Sequence, residues 1–151
     1  MTGRSQLMEY RKIDEKHFVV RLAIGEEIHD SLVALAEKEN ITFAMIQGIG
    51  AVREVTLGLY HLDRKEYRET KLYGIKEIIS LTGTLDRLQE KPYGHFHIAL
   101  GGEGGTTWGG HMVSGIIGIT AEIVVTCFDT TLVRKRDESL GFNMWNLSQK
   151  A

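Results

Sequence analysis

The chain has 151 residues, of which 42% are hydrophobic and 25% are charged, proportions typical of a folded protein rather than a disordered one. Its 18 lysines and arginines are outnumbered by 20 acidic residues, and this net charge of -2 argues against a sequence-independent nucleic-acid binder. The length predicts a single domain over residues 1–151, with its core between about Tyr10 and Leu147.

Cysteine and hydropathy patterns bear on the cellular location. The lone cysteine, Cys127, lies in an apolar run and is predicted to be a small packed residue rather than a nucleophile. It cannot form an internal disulfide, so we expect a reducing, cytoplasmic setting. No apolar stretch reaches the ~20 residues of a transmembrane helix, and the first residues do not resemble a signal peptide, so no membrane partner is expected.

The first third of the chain predicts one strand and one helix. β-Branched and aromatic residues favour a strand over 17–22. A helix is predicted after Gly25, because apolar residues then recur on one helical face: Ile28, Leu32, Leu35 and Ala36. Asn40 is predicted to cap its C-terminal end.

Beyond Asn40 the pattern indicates short strands. They are predicted over 41–47, 55–62, 67–72, 77–85, 94–100, 111–117 and 120–128. Gly48-Ile49-Gly50 is predicted to end the first of them, and Asp63 to Glu66 to form a polar hairpin tip. This order predicts an α+β fold, a mostly antiparallel β-sheet of about six to eight strands with one main helix packed on it.

The C-terminal segment contains a basic triplet, Arg134-Lys135-Arg136, followed by two acids. We interpret it as a solvated turn rather than a nucleic-acid contact. Three apolar residues follow it and are expected to tie the tail onto the core or onto a partner subunit: Phe142, Trp145 and Leu147.

Three histidines form the strongest chemical signal in the chain. His95 and His97 alternate with apolar residues in a predicted strand, so both point to the same face. His111 follows a segment with six glycines between residues 101 and 110, and a hairpin there would return it beside the pair. Imidazole is a common zinc ligand, and three of them leave a coordination position for water or a small ligand.

The same spacing also fits histidines that only hydrogen-bond to backbone or face solvent. Of the remaining histidines, His61 is a weak substitute ligand. Glu122, a charged residue in an apolar strand, has three interpretations: a general base, a carboxylate that orients a histidine, or an outward-facing surface residue.

Five separated motifs resemble the PPC domain, the conserved domain of plants and prokaryotes. They are Gly48-Ile49-Gly50-Ala51-Val52, Glu77-Ile78-Ile79-Ser80-Leu81-Thr82-Gly83, His95-Phe96-His97, Gly109-Gly110-His111 and Glu122-Ile123. The resemblance extends from about Phe18 to Trp145, and the chain is similar to the stand-alone prokaryotic members, which are often labelled as DNA-binding proteins with a PD1-like motif.

The resemblance implies a mostly antiparallel sheet with one main helix, a homotrimer, and a metal, zinc or a similar divalent ion, held by His95, His97 and His111. Plant members use a version of the 74–79 segment with Arg and Phe for partner interaction and add AT-hooks for DNA. This chain has Ile75 and Lys76 there and no AT-hook. Both differences weaken the expectation that DNA is a partner.

Three functions therefore remain open at the level of sequence. The first is a metal-binding homotrimer with a regulatory or ligand-binding role and a small molecule or anion as ligand at the metal. The second is a DNA-binding regulator or chromatin-associated protein. The third is a metal-dependent enzyme, for which the cupin motif is a poor match, because Gln89 replaces its expected glycine and Glu103 lies among glycines.

Overall fold

A computed structural model describes residues 8–148. Along them run β1 Glu9–Lys12, β2 His17–Ala23, α1 Ile28–Lys38, β3 Ala44–His61, β4 Glu66–Leu88, β5 Lys91–Gly101, β6 Thr107–Cys127, β7 Arg134–Asp137 and β8 Phe142–Trp145. The predicted α+β class, with eight strands and one helix, is confirmed for the described residues. Within them, no helix has the length and apolar character needed to cross a membrane.

The main sheet has the strand order β1-β2-β6-β3-β4-β5, and β5 also pairs with β6. The extra pairing closes β3, β4, β5 and β6 into a ring of antiparallel strands. β6 therefore pairs with three other strands, β2, β3 and β5, along its length. β7 and β8 form a separate two-stranded hairpin.

Three strands are longer than the sequence predicts. Each of β3, β4 and β6 replaces two predicted shorter strands, so the prediction that Gly48-Ile49-Gly50 ends a strand was wrong. β3 continues through that segment with a shift of register between Gly48 and Gly50. Gly50 has a φ of 155°, and a Cβ there would lie 2.2 Å from the Thr120 carbonyl oxygen, so glycine lets two backbones approach closely.

The helix begins and ends with side-chain and backbone caps. The carboxylate of Glu27 accepts a hydrogen bond from the Asp30 amide at 2.6 Å and another from the Gly115 amide of β6 at 2.8 Å. At the C-terminal end Asn40 has a φ of 50°, and the Ile41 amide donates to the Ala36 carbonyl at 2.9 Å. This Schellman arrangement confirms the predicted end of the helix.

The core lies between α1 and one face of the sheet. The four predicted helix residues are fully buried there, and the inward side chains of β5, Phe96, Ile98 and Leu100, pack in the same cluster. The other face of β5 points away from the core. It is this face that carries the histidines.

The C-terminal segment departs from the predicted turn. Arg134 begins strand β7. Its side chain is only 6% exposed and forms an ion pair with the fully buried Asp86 of β4. The indole of Trp145 also donates to Asp86, at 2.9 Å, and Phe142 packs edge-on against Tyr60. The apolar tail residues Phe142 and Trp145 thus tie the β7–β8 hairpin onto the sheet, as predicted, whereas Leu147, predicted to act with them, is 76% exposed.

Candidate metal centre

β5 places the first two histidines side by side. Phe96, the residue between the two histidines in the sequence, is fully buried. His95 and His97 therefore project from the opposite face of the strand. Their ring centroids are 5.2 Å apart. The predicted common face is therefore observed.

A short loop returns the chain to the same place. It contains the single turn Glu103–Gly105, in which Gly104 and Gly105 have φ values of 65° and 78° that favour glycine. β6 then pairs with β5 so that His111 lies directly opposite His97. Residues directly opposite on neighbouring strands share a face, so the hairpin brings the third imidazole to the first two.

The three imidazoles converge on one point. The His111 ring centroid lies 5.2 Å from that of His95 and 5.6 Å from that of His97. Each residue offers a ring nitrogen, and these nitrogens all lie within 4.8 Å of one another. Nitrogens bound to one tetrahedral zinc are about 3.4 Å apart, so a spacing within 4.8 Å is close to what one ion requires.

The surroundings of His111 fit a ligand role. Its Nδ1 atom is buried and finds no hydrogen-bond partner among residues 8–148. The Tyr67 ring stacks on its imidazole at 4.7 Å. A Cβ on Gly58, the register partner of His111 on β3, would approach both rings, to 2.9 Å and 3.3 Å, so glycine leaves room for the stack. A buried imidazole nitrogen without a hydrogen-bond donor retains a lone pair that a metal ion can accept.

The electrostatics of the cluster favour neutral imidazoles. Burial is the main cause that lowers the pKa of His111 to about 4, and the neighbouring His95 and His97 add to it. Burial also lowers the pKa of His95, helped by Arg134 and His97, whereas Asp86 acts in the opposite direction. Neutral imidazole is the form that binds metal, so at pH 7 these two histidines would not need to lose a proton to bind one.

The lowered pKa of His111 predicts how the stability of the metal-free protein depends on pH. In the unfolded chain a histidine binds its proton near pH 6.5, whereas in the folded state His111 stays neutral down to about pH 4. The unfolded state therefore binds more protons in that window, and stability falls as pH falls from 6.5 to 4. Between pH 6.5 and 4 we expect the free energy of unfolding of His111→Gln to fall by about 1–2 kcal/mol less than that of the wild type. This figure allows for solvent screening at the half-buried ring.

Urea unfolding of the chelator-treated protein at several pH values measures the effect. The informative quantity is the difference between wild type and variant at each pH, because carboxylates titrate in both. Thr70→Gln, an exposed position on β4 without a titratable group, is the control and should keep the wild-type profile. An unchanged profile in His111→Gln would contradict the prediction.

A buried polar network lies beside His95, and the sequence did not predict it. Asp86 accepts hydrogen bonds from Arg134 Nε at 2.8 and 3.0 Å and from the Thr84 hydroxyl at 3.2 Å. Thr84 is the register partner of His95 on β4. The ion pair joins residues that are far apart in the chain, so no local sequence pattern predicts it.

Glu122 does not belong to the cluster. Its register partners are Arg21 and Ile49, whereas those of His111 are Gly58 and His97, so the two lie at different ends of β6. Its side chain is exposed. The interpretation as an outward-facing strand residue is the one that the structure supports.

The remaining histidine candidates also lie apart. His61 ends β3 opposite Glu66 and is not one of the three clustered residues. A second close group consists of Glu27, His29 and Asp30 at the start of α1. Both carboxylate oxygens of Glu27 already accept backbone hydrogen bonds, so that group caps the helix.

Comparison with known proteins places the chain among proteins of the same fold. The family model for the Plants and Prokaryotes Conserved (PCC) domain matches residues 11–129. No curated protein sequence matches the chain significantly.

Three solved structures resemble it over nearly their whole length. A candidate DNA-binding protein from Bacteroides thetaiotaomicron is 28% identical, with a TM-score of 0.91, over 95% of this chain and 100% of that one. A plant- and prokaryote-conserved protein from Pyrococcus horikoshii is 29% identical, with a TM-score of 0.81, over 95% and 97%. A metal-containing protein from Archaeoglobus fulgidus is 30% identical, with a TM-score of 0.80, over 93% and 99%.

These matches agree with the motifs, which lie at the observed turns and strands. The glycine segments allow the close strand approach at Gly50 and the turn before β6, and the histidines share one outer face. The chain belongs to the Plants and Prokaryotes Conserved (PCC) domain family.

Proposed function

We propose that this PCC-domain chain is a metal-binding protein that holds a zinc ion, or a similar divalent ion, on His95, His97 and His111, and that its role is regulatory or ligand-binding. The observation that carries the proposal is the convergence of three imidazoles whose nitrogens lie within 4.8 Å of one another. The metal-containing relative from Archaeoglobus fulgidus supports it.

The donor set decides what such an ion offers. His95, His97 and His111 would supply three of the four ligands of a tetrahedral ion, which would leave one position for water or a small anionic ligand and would provide Lewis-acid chemistry there. The carboxylate of Asp86 is already bonded to Arg134 and Trp145, and Glu122 lies elsewhere on β6. Neither of these two acids is therefore placed as a general base at the proposed ion.

Metal content is the direct test. We expect purified wild-type protein to contain close to one equivalent of metal per chain by elemental analysis, and His97→Ala to contain little, because two imidazoles bind a divalent ion far more weakly than three. His17→Ala, a histidine hydrogen-bonded to Asp14 away from the cluster, is the matched control and should retain the metal. Equal, near-zero metal in wild type and His97→Ala would remove the proposal.

We further propose that the chain assembles as a homotrimer. The outer face of the sheet carries large apolar side chains that are between 44% and 59% exposed: Met45, Ile49, Ile79 and Val124. An apolar patch of neighbouring strands on a water-facing surface is typical of an interface between protein subunits. The family resemblance supplies the number of subunits.

Light scattering after size-exclusion chromatography measures the assembly. We expect the wild type to have a mass three times the 17.0 kDa of one chain. Ile49→Asp should reduce the mass to that of one chain, because it places a charge in the apolar contact. Ile13→Asp changes a similarly exposed isoleucine in the β1–β2 turn and should leave the mass unchanged. A single-chain mass for the wild type would contradict the trimer.

DNA binding is the alternative raised by the name of the Bacteroides relative. The net charge of -2 opposes it, and Arg134 of the basic triplet is occupied by Asp86 rather than free for phosphate. A gel shift that weakens as salt rises would favour DNA binding, whereas no shift at low salt excludes it.

A further inference from the structure

A cavity of about 370 Å³ adjoins the histidine cluster, between the β3–β4 and β7–β8 hairpins. His95 and His111 both line it. Its size lies at the small end of the range of roughly 300–1,000 Å³ found for small-molecule sites. It is therefore large enough for a ligand beyond water at the open position of the proposed metal.

Aromatic rings form one wall of this cavity. Phe142 packs edge-on against Tyr60 at 5.1 Å, Tyr60 packs edge-on against Tyr67 at 5.0 Å, and Tyr67 stacks on His111 at 4.7 Å. The rings thus run without a break from the β7–β8 hairpin to a proposed metal ligand. Such a wall favours a flat, apolar ligand body, because aromatic pairs gain from edge and offset contacts.

Positive charge lines the same cavity. Lys65, in the turn between β3 and β4, and Arg136, on β7, both contribute side chains. Both side chains contact Glu138, and both contacts are weak. The Lys65 ammonium donates to the Glu138 carbonyl oxygen at 3.1 Å, and the Arg136 guanidinium lies 3.5 Å from the exposed Glu138 carboxylate. Glu66 is the acid in the lining, and the Glu138 carboxylate beside Arg136 is a second acid, so two acids balance the two cations. The Lys65 ammonium donates to a neutral carbonyl rather than to an acid, and the proposed metal would supply the net positive charge.

A second cavity, of about 530 Å³, adjoins His95 and His97 but differs in its charge. The cation that lines it is Arg134, which is already paired with buried Asp86. It therefore supplies no unpaired positive charge to an incoming anion. The observations thus favour the smaller cavity as the anion site.

We propose that the smaller cavity binds a small aromatic carboxylate, whose ring lies against Tyr60, Tyr67 and Phe142 and whose charge is balanced by the metal together with Lys65 and Arg136. The inference rests on the proposed metal site and specifies its ligand class. The aromatic wall selects the ring, and the cationic lining selects the carboxylate over neutral aromatic molecules.

Calorimetric titration of the zinc-loaded protein with benzoate tests this inference, and benzamide is the neutral comparison. We expect benzoate to bind and benzamide not to bind. Lys65→Gln combined with Arg136→Gln should weaken benzoate binding by at least about tenfold, since a charge-assisted contact is lost at each position. Both side chains lie at the surface, so the variant should fold.

The matched control is Arg64→Gln combined with Lys135→Gln. It removes the same number of positive charges from the same turn and strand, at side chains that do not line the cavity. It should bind benzoate as the wild type does. Zinc content, measured on every sample by elemental analysis, separates the two proposals.

Each outcome has one meaning. Zinc-loaded protein that does not bind benzoate, or that loses it equally in both double variants, overturns the aromatic carboxylate and leaves the metal site standing. Wild-type protein that takes up no zinc overturns both. Benzoate binding that is lost only in the Lys65/Arg136 variant supports the inference.

Discussion

Replacing Asp86 with alanine is expected to lower the free energy of unfolding by about 3–5 kcal/mol, because it leaves the Arg134 guanidinium buried without its counter-charge. The two side chains are 0% and 6% exposed. The same carboxylate also accepts from Trp145 and Thr84, so alanine removes several hydrogen bonds at once. Urea unfolding followed by far-UV circular dichroism measures the change.

A second ion pair on the same hairpin supplies the control. Arg136 and Glu138 lie 3.5 Å apart with side chains 55% and 83% exposed. Exposed pairs contribute about 0–1 kcal/mol, so Glu138→Ala should change the free energy of unfolding very little. If Asp86→Ala were as mild as Glu138→Ala, the buried pair would not hold the hairpin in the way described.

Zinc is expected to raise the thermal stability of the protein strongly. An ion that binds the folded state alone stabilises it by about 4 kcal/mol at a free concentration 1,000 times its dissociation constant. For a chain of this size that corresponds to a rise in Tm of roughly 10 °C. Differential scanning calorimetry with zinc and with a chelator measures the difference.

Variants connect this stabilisation to the proposed ligands. His97→Ala should show the same Tm with zinc as with chelator, whereas His17→Ala should retain the wild-type difference. A wild type whose midpoints coincide in the two conditions would contradict coupling between metal binding and folding.

The histidine geometry could be predicted from the sequence because it depends on local rules. Strand alternation places His95 and His97 on one face, and the glycine-rich turn returns His111 to His97. The helix could be predicted equally well. Its buried face follows from the spacing of its apolar residues, and its end follows from Asn40, a residue that tolerates positive φ.

The other features depend on contacts between distant residues. Gly50 resembles a strand break in sequence, but in the folded chain it allows the backbone of β6 to approach β3. In sequence Arg134 has the pattern of a solvated charge, whereas in the folded chain it is paired with the buried Asp86. The cavity wall is likewise invisible in sequence, because Tyr60, Tyr67 and Phe142 meet only after two hairpins have packed together.

The confinement of all three histidines to the β5–β6 hairpin has a consequence for the order of folding. Their approach requires closure of the short loop between Gly101 and Thr107, whereas the pairing of Ala44 with Cys127 joins distant parts of the chain. Short loops lose less conformational entropy on closing. The three-histidine cluster can therefore form before the strand ring closes, and the proposed ion, if captured at that stage, would stabilise the hairpin ahead of the later, slower pairings.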